Sequence, residues 1–407
     1  MKKTKQILFI FIFISAVLSS AQATPLFISE LNEQSIYAGT YVDVYAGSGV
    51  GGNLQSLTYV TAGDSAKIGG SLETGTHVSL GASGSVGGNI KSGTYINAGD
   101  SGAFGGDVES GTYTSIGKLG KVTGNIISGD YTYAGVQSVL SGNVRAQGAV
   151  RIDTSGHIDG DVVSATSISF LGGAGTTPGS IRGSNSVDNT MDRFVSHRVN
   201  DQDGAITSAQ QVLRLLGNKE GKELDGRVTT NKTLYSGVYN ISGTLAVTAN
   251  SIITLDGQNK DAYWIFNVSD FMSFGSGVKI NLVNVTDKSS VIWNSVGDMT
   301  GGSAGYATIG ANSDVVGLIL AKGVVTSGAG TNLSGVGGYC GGAFSARSFV
   351  SLGANNQFGA VGCKSGAATN FNNLIAVPEP NNVLLLGMSL LGLGYLVKRR
   401  KKHTSNN

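Results

Sequence analysis

The chain reads as a mainly β protein, a triangular parallel β-helix with one α-helical insertion packed on its flank. Three observations predict this. First, seven units of 18 residues run without insertion or deletion over 39–164, starting at Gly39, Leu57, Gly75, Gly93, Gly111, Gly129 and Gln147. Second, the fourteenth position is always glycine (Gly52, Gly70, Gly88, Gly106, Gly124, Gly142, Gly160), while the twelfth, from Val50 to Ile158, and the sixteenth, from Leu54 to Val162, are always apolar. Third, the fourth and sixth positions, Val42 and Val44 in the first unit, add an alternating pair, which points two side chains to one side of a strand. Three short strands joined at glycine-containing corners satisfy this pattern, whereas a helix needs apolar spacings of three and four and far fewer glycines. One such coil cannot bury enough surface alone, so the coils must fold as a stack. At ~4.8 Å per coil the seven units make a rod of about 34 Å.

The first residues carry Lys2, Lys3 and Lys5, then an apolar run over 7–17, then Ala21, Gln22 and Ala23. This is the order of a secretory signal cleaved before Thr24, and the run is too short to span a bilayer. Near the other end, Val377, Pro378, Glu379 and Pro380 precede a mostly apolar stretch over 383–397 and the basic cluster Lys398, Arg399, Arg400, Lys401, Lys402. The stretch is marginal in length for a span and is stopped by positive charge. The three-part order resembles the PEP-CTERM sorting tail of Gram-negative bacteria that make exopolysaccharide. That resemblance implies transient inner-membrane association, cleavage by an exosortase, and release to the cell surface or matrix.

The two cysteines, Cys340 and Cys363, lie in the exported part, where an oxidising compartment permits a disulfide. The formal net charge is +2, with the positive charge concentrated in the removable ends, which argues against a nucleic-acid partner. The four histidines have no metal-ligand spacing among themselves, and Asp159, Asp161 and Asp256 read as turn residues beside glycine. Nothing clusters acids on one face, so no enzyme, metal or cofactor is expected.

After Phe170 the repeat breaks, and 188–217 has helical apolar spacing, read as two helices parted at Asp203 and Gly204 and ended by Gly217. The expected layout is a signal over 1–23, the repeat solenoid over 24–170, a helical insertion and linker over 171–230, and a second β-helix over 231–365. A linker over 366–376 and the sorting tail over 377–402 follow. Less regular strand segments return from Thr233. In order, these include 234–239 (LYSGVY), 253–257 (ITLDG), 262–266 (AYWIF), 290–293 (SVIW), 308–310 (TIG), 317–321 (GLILA) and 342–347 (GAFSAR). The series resembles the ice-binding-protein-like family over roughly 187–358. The resemblance implies a right-handed triangular β-helix with a long helix alongside and, for some members, adsorption to ice. The chain departs from it in the repeat array and in the insertion over 336–341.

Two outward rows are candidate binding surfaces. Position two carries Thr40, Thr58, Thr76, Thr94 and Thr112, and position three carries Tyr41, Tyr59, His77, Tyr95, Tyr113 and Tyr131. A tyrosine ladder first of all stabilises coils, but its rings also suit sugar faces, and a threonine row suits ordered water. In the second half Thr244, Thr248 and Thr254 are candidates for the water-ordering role. Two functions are therefore expected to compete: adsorption to ice through a flat β-helix face, or an extracellular matrix or adhesion role as a structural or polysaccharide-binding rod. Both rod ends expose unpaired strands, and 26–35 and the 188–217 helices are the segments expected to cover them.

Overall fold

The computed structural model describes residues 34–172, 181–183, 201–297, 305–360 and 363. All of them fall within one compact unit, Phe27–Ala368. The signal, the sorting tail and the first expected helix lie outside the described residues.

Three parallel sheets of 15, 14 and 13 strands, here A, B and C, form a β-helix in which each coil contributes one strand to each sheet. In the first half the register is constant: Val42 pairs with Val60, Val60 with Val78 and Val78 with Ile96, each 18 residues on. Inward residues such as Val60, Ile96, Val108 and Leu140 are fully buried. Where position four is polar, the hydroxyls satisfy one another: Ser128 Oγ donates to Thr114 Oγ1 at 3.0 Å, and Ser110–Thr114 and Ser128–Thr132 pair at 2.9 Å. Buried polar groups thereby avoid the cost of an unmade bond.

The invariant glycine is a packing requirement. A Cβ at Gly106 or Gly124 would run into the backbone of the preceding coil at 2.7 or 2.5 Å. The left-handed residue of each coil lies elsewhere, at Gly47 in the first coil with φ 70° and then at Ser65, Ser83, Ser101, Leu119, Gln137 and Ser155, with φ between 55° and 59°.

The order of the coils is not the order of the chain. The first strand, Gln34–Ala38, lies inside sheet A, flanked on one side by Asn53–Ser56 and on the other by Gly342–Ser345. Likewise Val42 pairs with both Val60 and Val350. From this joint one arm runs outward through the repeats, and the other runs inward from Lys222–Glu223 at the far end. A single apolar core is continuous through both arms. Ser35, buried in that first strand, therefore lies at the joint rather than over an exposed end; the expectation that 26–35 covers an end does not hold for its described residues.

The second arm starts earlier than the residue pattern suggests, with strands at Lys222–Glu223 and Arg227–Val228. The apolar run 315–321 is split at Gly317, φ +110°, where the chain turns from sheet C into sheet A. Helix α1, Asp203–Glu220, lies along the outer face of sheet A. It continues past Gly217, contrary to the expected stop there; that glycine faces sheet A, where a Cβ would collide with Asn240 and Asn267.

Three asparagines, one per coil, fasten α1. Asn240 Nδ2 donates to Gly217 O at 3.0 Å, Asn267 Nδ2 to Leu213 O at 2.8 Å, and Asn294 Nδ2 to Gln210 O at 3.1 Å. The fit is geometric: three to four helical residues rise about 5 Å, close to one coil spacing. At the joint, Tyr37 accepts from Gln202 N at 2.9 Å, and Arg347 Nε donates to Asp203 Oδ2 at 2.8 Å. Burial and the facing Asp201 push the Tyr37 phenol well above its ordinary range. The helix thus flanks the rod rather than covering an end. The loop 335–341 is joined to the end of the last coil by the disulfide Cys340–Cys363.

Candidate binding face

Sheet B offers a regular outer surface of short parallel strands. Its strands have three residues with the middle one outward, and neighbours in register form a column. In the second arm this column reads Ala246, Ser273, Thr308, Thr326 and Ser351. All five are half-buried, so none stands proud. Beside four of them lie Gly275, Gly310, Gly328 and Gly353, each directly after its strand. The run is bounded by Arg227 at one end and Asp43 at the other. Beyond the joint, Thr61, Ser79, Asn97 and Ser115 continue the column.

The other outer faces carry charge. Sheet A presents Glu73, Lys91, Glu109 and Arg145, with Lys91 and Glu109 3.8 Å apart. Sheet C presents Lys67, Lys121, Lys279 and Asp314. A charged group holds its own hydration shell and interrupts any ordered water layer, so sheet B is the face suited to an extended neutral surface.

The predicted rows fall around this column. Thr40, Thr58, Thr76, Thr94 and Thr112 form a corner ladder between sheets A and B. Their hydroxyls are largely committed: Thr58, Thr76 and Thr94 each donate to the threonine carbonyl one coil back, at 2.8, 2.8 and 2.7 Å. The aromatic row borders the column directly. Tyr41, Tyr59, His77, Tyr95, Tyr113 and Tyr131 stack with centroids 4.7–5.0 Å apart and planes within 13°. Phe349 extends the row across the joint, 4.8 Å from Tyr41. Further along the second arm, Phe271 and Tyr306 stack at 4.4 Å. Each internal ring has both faces covered by its two neighbours, leaving only its edges to solvent. Burial holds the His77 imidazole below its ordinary pKa, consistent with a neutral ring in the stack.

Thr244, Thr248 and Thr254 do not share one face. Thr244 and Thr248 flank the sheet B strand Leu245–Val247, whereas Thr254 belongs to sheet C, within Ile252–Lys260. Thr244 Oγ1 donates to Asp270 at 3.1 Å and Thr248 Oγ1 to Val228 O at 2.7 Å. Sequence reasoning missed Ser273, Thr308, Thr326 and Ser351 because their coils differ in length, so no fixed period aligns them. The usable signal was an apolar–Ser/Thr–apolar triplet followed by glycine: Met272–Phe274, Ala307–Ile309 and Val350–Leu352.

Among the described residues, no three histidine, cysteine, aspartate or glutamate side chains are grouped to hold a metal ion. His157 and Asp159 pair at 2.6 Å on the surface.

Comparison with known proteins adds three solved structures. An ice-binding protein from an Antarctic Biological Consortium is 13% identical, covering 84% of this chain and 94% of its own, with a TM-score of 0.38. The ice-binding protein of the Antarctic ascomycete Antarctomyces psychrotrophicus is 21% identical, covering 54% and 94%, with a TM-score of 0.30. The ice-binding protein_1 DUF3494 domain of Shewanella frigidimarina is 20% identical, covering 54% and 93%, with a TM-score of 0.32. No curated protein sequence matches the chain. Residues 157–357, just under half of the chain and including the whole described second arm up to its last strand, match the family model described as ice-binding-like.

Proposed function

We propose that this is an exported, non-enzymatic protein that adsorbs to ice through the outer face of sheet B. The observation that carries the reading is the neutral column Ala246, Ser273, Thr308, Thr326 and Ser351, one residue per coil, with glycine beside the last four. Threonine supplies a methyl group and a hydroxyl to the same plane, so a regular row can hold water in a fixed array without a competing charge. The match of 157–357 to the ice-binding-like family supports an ice-binding-like function for this arm, and the choice of face rests on the column.

Export is supported by the lysine-rich apolar start and by Pro378, Glu379, Pro380, Arg399 and Arg400, read as a tail cut by an exosortase after transient inner-membrane association in a Gram-negative cell. The Cys340–Cys363 disulfide suits an oxidising compartment. The rival reading, a matrix or adhesion rod binding polysaccharide along the tyrosine ladder, is weakened because the internal ring faces are already covered.

The test is thermal hysteresis and ice recrystallisation inhibition of the purified protein beside Thr308→Tyr/Thr326→Tyr. Activity in the parent, lost in a variant of unchanged circular dichroism, supports the reading. An inactive folded parent, or a variant as active as the parent, overturns it.

A further inference from the structure

The aromatic ladder stops abruptly in the first arm, and its stop coincides with a cavity. Tyr131 stacks on Tyr113 at 4.9 Å, but the residue in register on its other side is Ala149, so one face of the Tyr131 ring has no aromatic neighbour. At this point a cavity of about 490 Å³ opens, lined by Tyr131 and Ala149 together with Asp130, Tyr133, Arg151 and Thr166.

The sheet B column changes character in the same coils. Ser115 is followed by Tyr133 and then Arg151, so small neutral residues give way to a ring and a guanidinium. Tyr133 is held in place by its hydroxyl, which donates to Asp153 Oδ2 at 2.6 Å. A flat ring with one open face, a carboxylate and a guanidinium at its edge, and hydroxyls nearby form a donor and acceptor set around an apolar platform. That combination fits one chemical class. The C–H face of a pyranose packs on an aromatic ring, while its vicinal hydroxyls donate to a carboxylate and accept from a guanidinium. Ice offers no apolar face to a ring, and a nucleic acid would meet Asp130 at close range.

We infer that the end of the ladder, at Tyr131, Asp130 and Arg151, is a binding subsite for a pyranose unit of a polysaccharide. It is separate from the Ser/Thr face of the second arm and stands or falls without it. The cavity is open to one side, which suits a unit within a longer chain better than an enclosed monosaccharide.

The experiment is titration calorimetry of the purified full-length protein with soluble hexasaccharides of glucose, N-acetylglucosamine and mannuronate. The expected result is saturable binding of at least one of them, weakened about tenfold in Tyr131→Ala, as loss of a stacking platform predicts. Because Tyr131→Ala also removes a rung of the ladder, Ala149→Tyr is the second variant. It continues the stack over the open face, so it abolishes binding while thermal stability holds or rises. Arg151→Gln should weaken binding without touching the ladder. No binding of any of the three hexasaccharides, or binding unchanged in Ala149→Tyr, overturns the inference. Thermal hysteresis of the same variants separates the two sites, since Ala149→Tyr should leave it at the parental level.

Discussion

The two arms solve one problem in different ways. The repeat arm uses coils of constant length, and its core is almost entirely aliphatic, with Phe104 the one buried ring. In the second arm, coil length varies: sheet B partners lie 27 residues apart at Leu245 and Met272, 35 at Met272 and Ala307, and 18 at Ala307 and Val325. Its core holds Trp264, Phe266, Phe274 and Trp293, all buried. Phe266 and Trp293 stack at 4.1 Å, and Phe274 meets Trp293 edge-on at 5.1 Å. The repeat arm gains order from identical neighbours. The irregular arm depends on individual large side chains, a fastened helix and a disulfide.

That difference can be broken most directly at Trp293, whose indole also donates to Val316 O at 2.8 Å. Trp293→Ala should cost about 3–5 kcal/mol, whereas Val122→Ala in the repeat arm should cost about 2 kcal/mol, both read from denaturant melts. Similar losses would mean that the arms do not differ in how concentrated their stability is. The disulfide comes next. It closes a loop of 23 residues, so Cys363→Ser should lose about 3 kcal/mol, with an equal loss when the parent is reduced.

In the repeat arm Tyr95 stacks on His77 and Tyr113, and Tyr95→Ala should cost about 1–2 kcal/mol with thermal hysteresis unchanged. A drop in hysteresis would instead bring the ladder into the proposed ice-binding surface. A smaller effect of opposite sign is expected at the corners. The second arm places Asn250, Asn312 and Asn355 in left-handed backbone, but the repeat arm places the exposed Leu119 there, φ 59°. Leu119→Asn should therefore stabilise by about 1 kcal/mol.

The smallest effect concerns the joint. Burial raises the Asp43 carboxyl above its ordinary value, partly offset by a hydrogen bond from Thr61. A raised folded-state pKa means that the neutral form is favoured in the fold, so stability falls as pH rises through that value. Asp43→Asn should raise Tm at pH 7 and leave it unchanged at pH 3. A gain at both values would point to packing instead of charge. The same substitution removes the one charge between the two stretches of the Ser/Thr column, so it should also raise hysteresis modestly.

Much of the repeat arm was legible in the sequence because each unit states its inward positions locally, and Val60, Ile68 and Leu72 are buried where the pattern puts them. The second arm was legible as strands but not as columns, since unequal loops hide which serine or threonine lies beside which. Coil order was not legible at all. Every coil presents similar edges, so nothing near Val42 announces that its neighbour is Val350. Gly217 misled for a related reason: glycine after an apolar helical run signals a stop, and here it answers to Asn240 across the sheet.

The pairing of Val42 with Val350 also sets a timetable. The coil made first must wait for the coil made last, 308 residues later, as in the Ser48–Asn356 bond that spans the same joint. At ordinary rates of synthesis that wait is roughly 15–60 s. For that interval the leading coil keeps an unpaired edge, so a nascent chain is exposed to strand addition by its neighbours until its own end arrives.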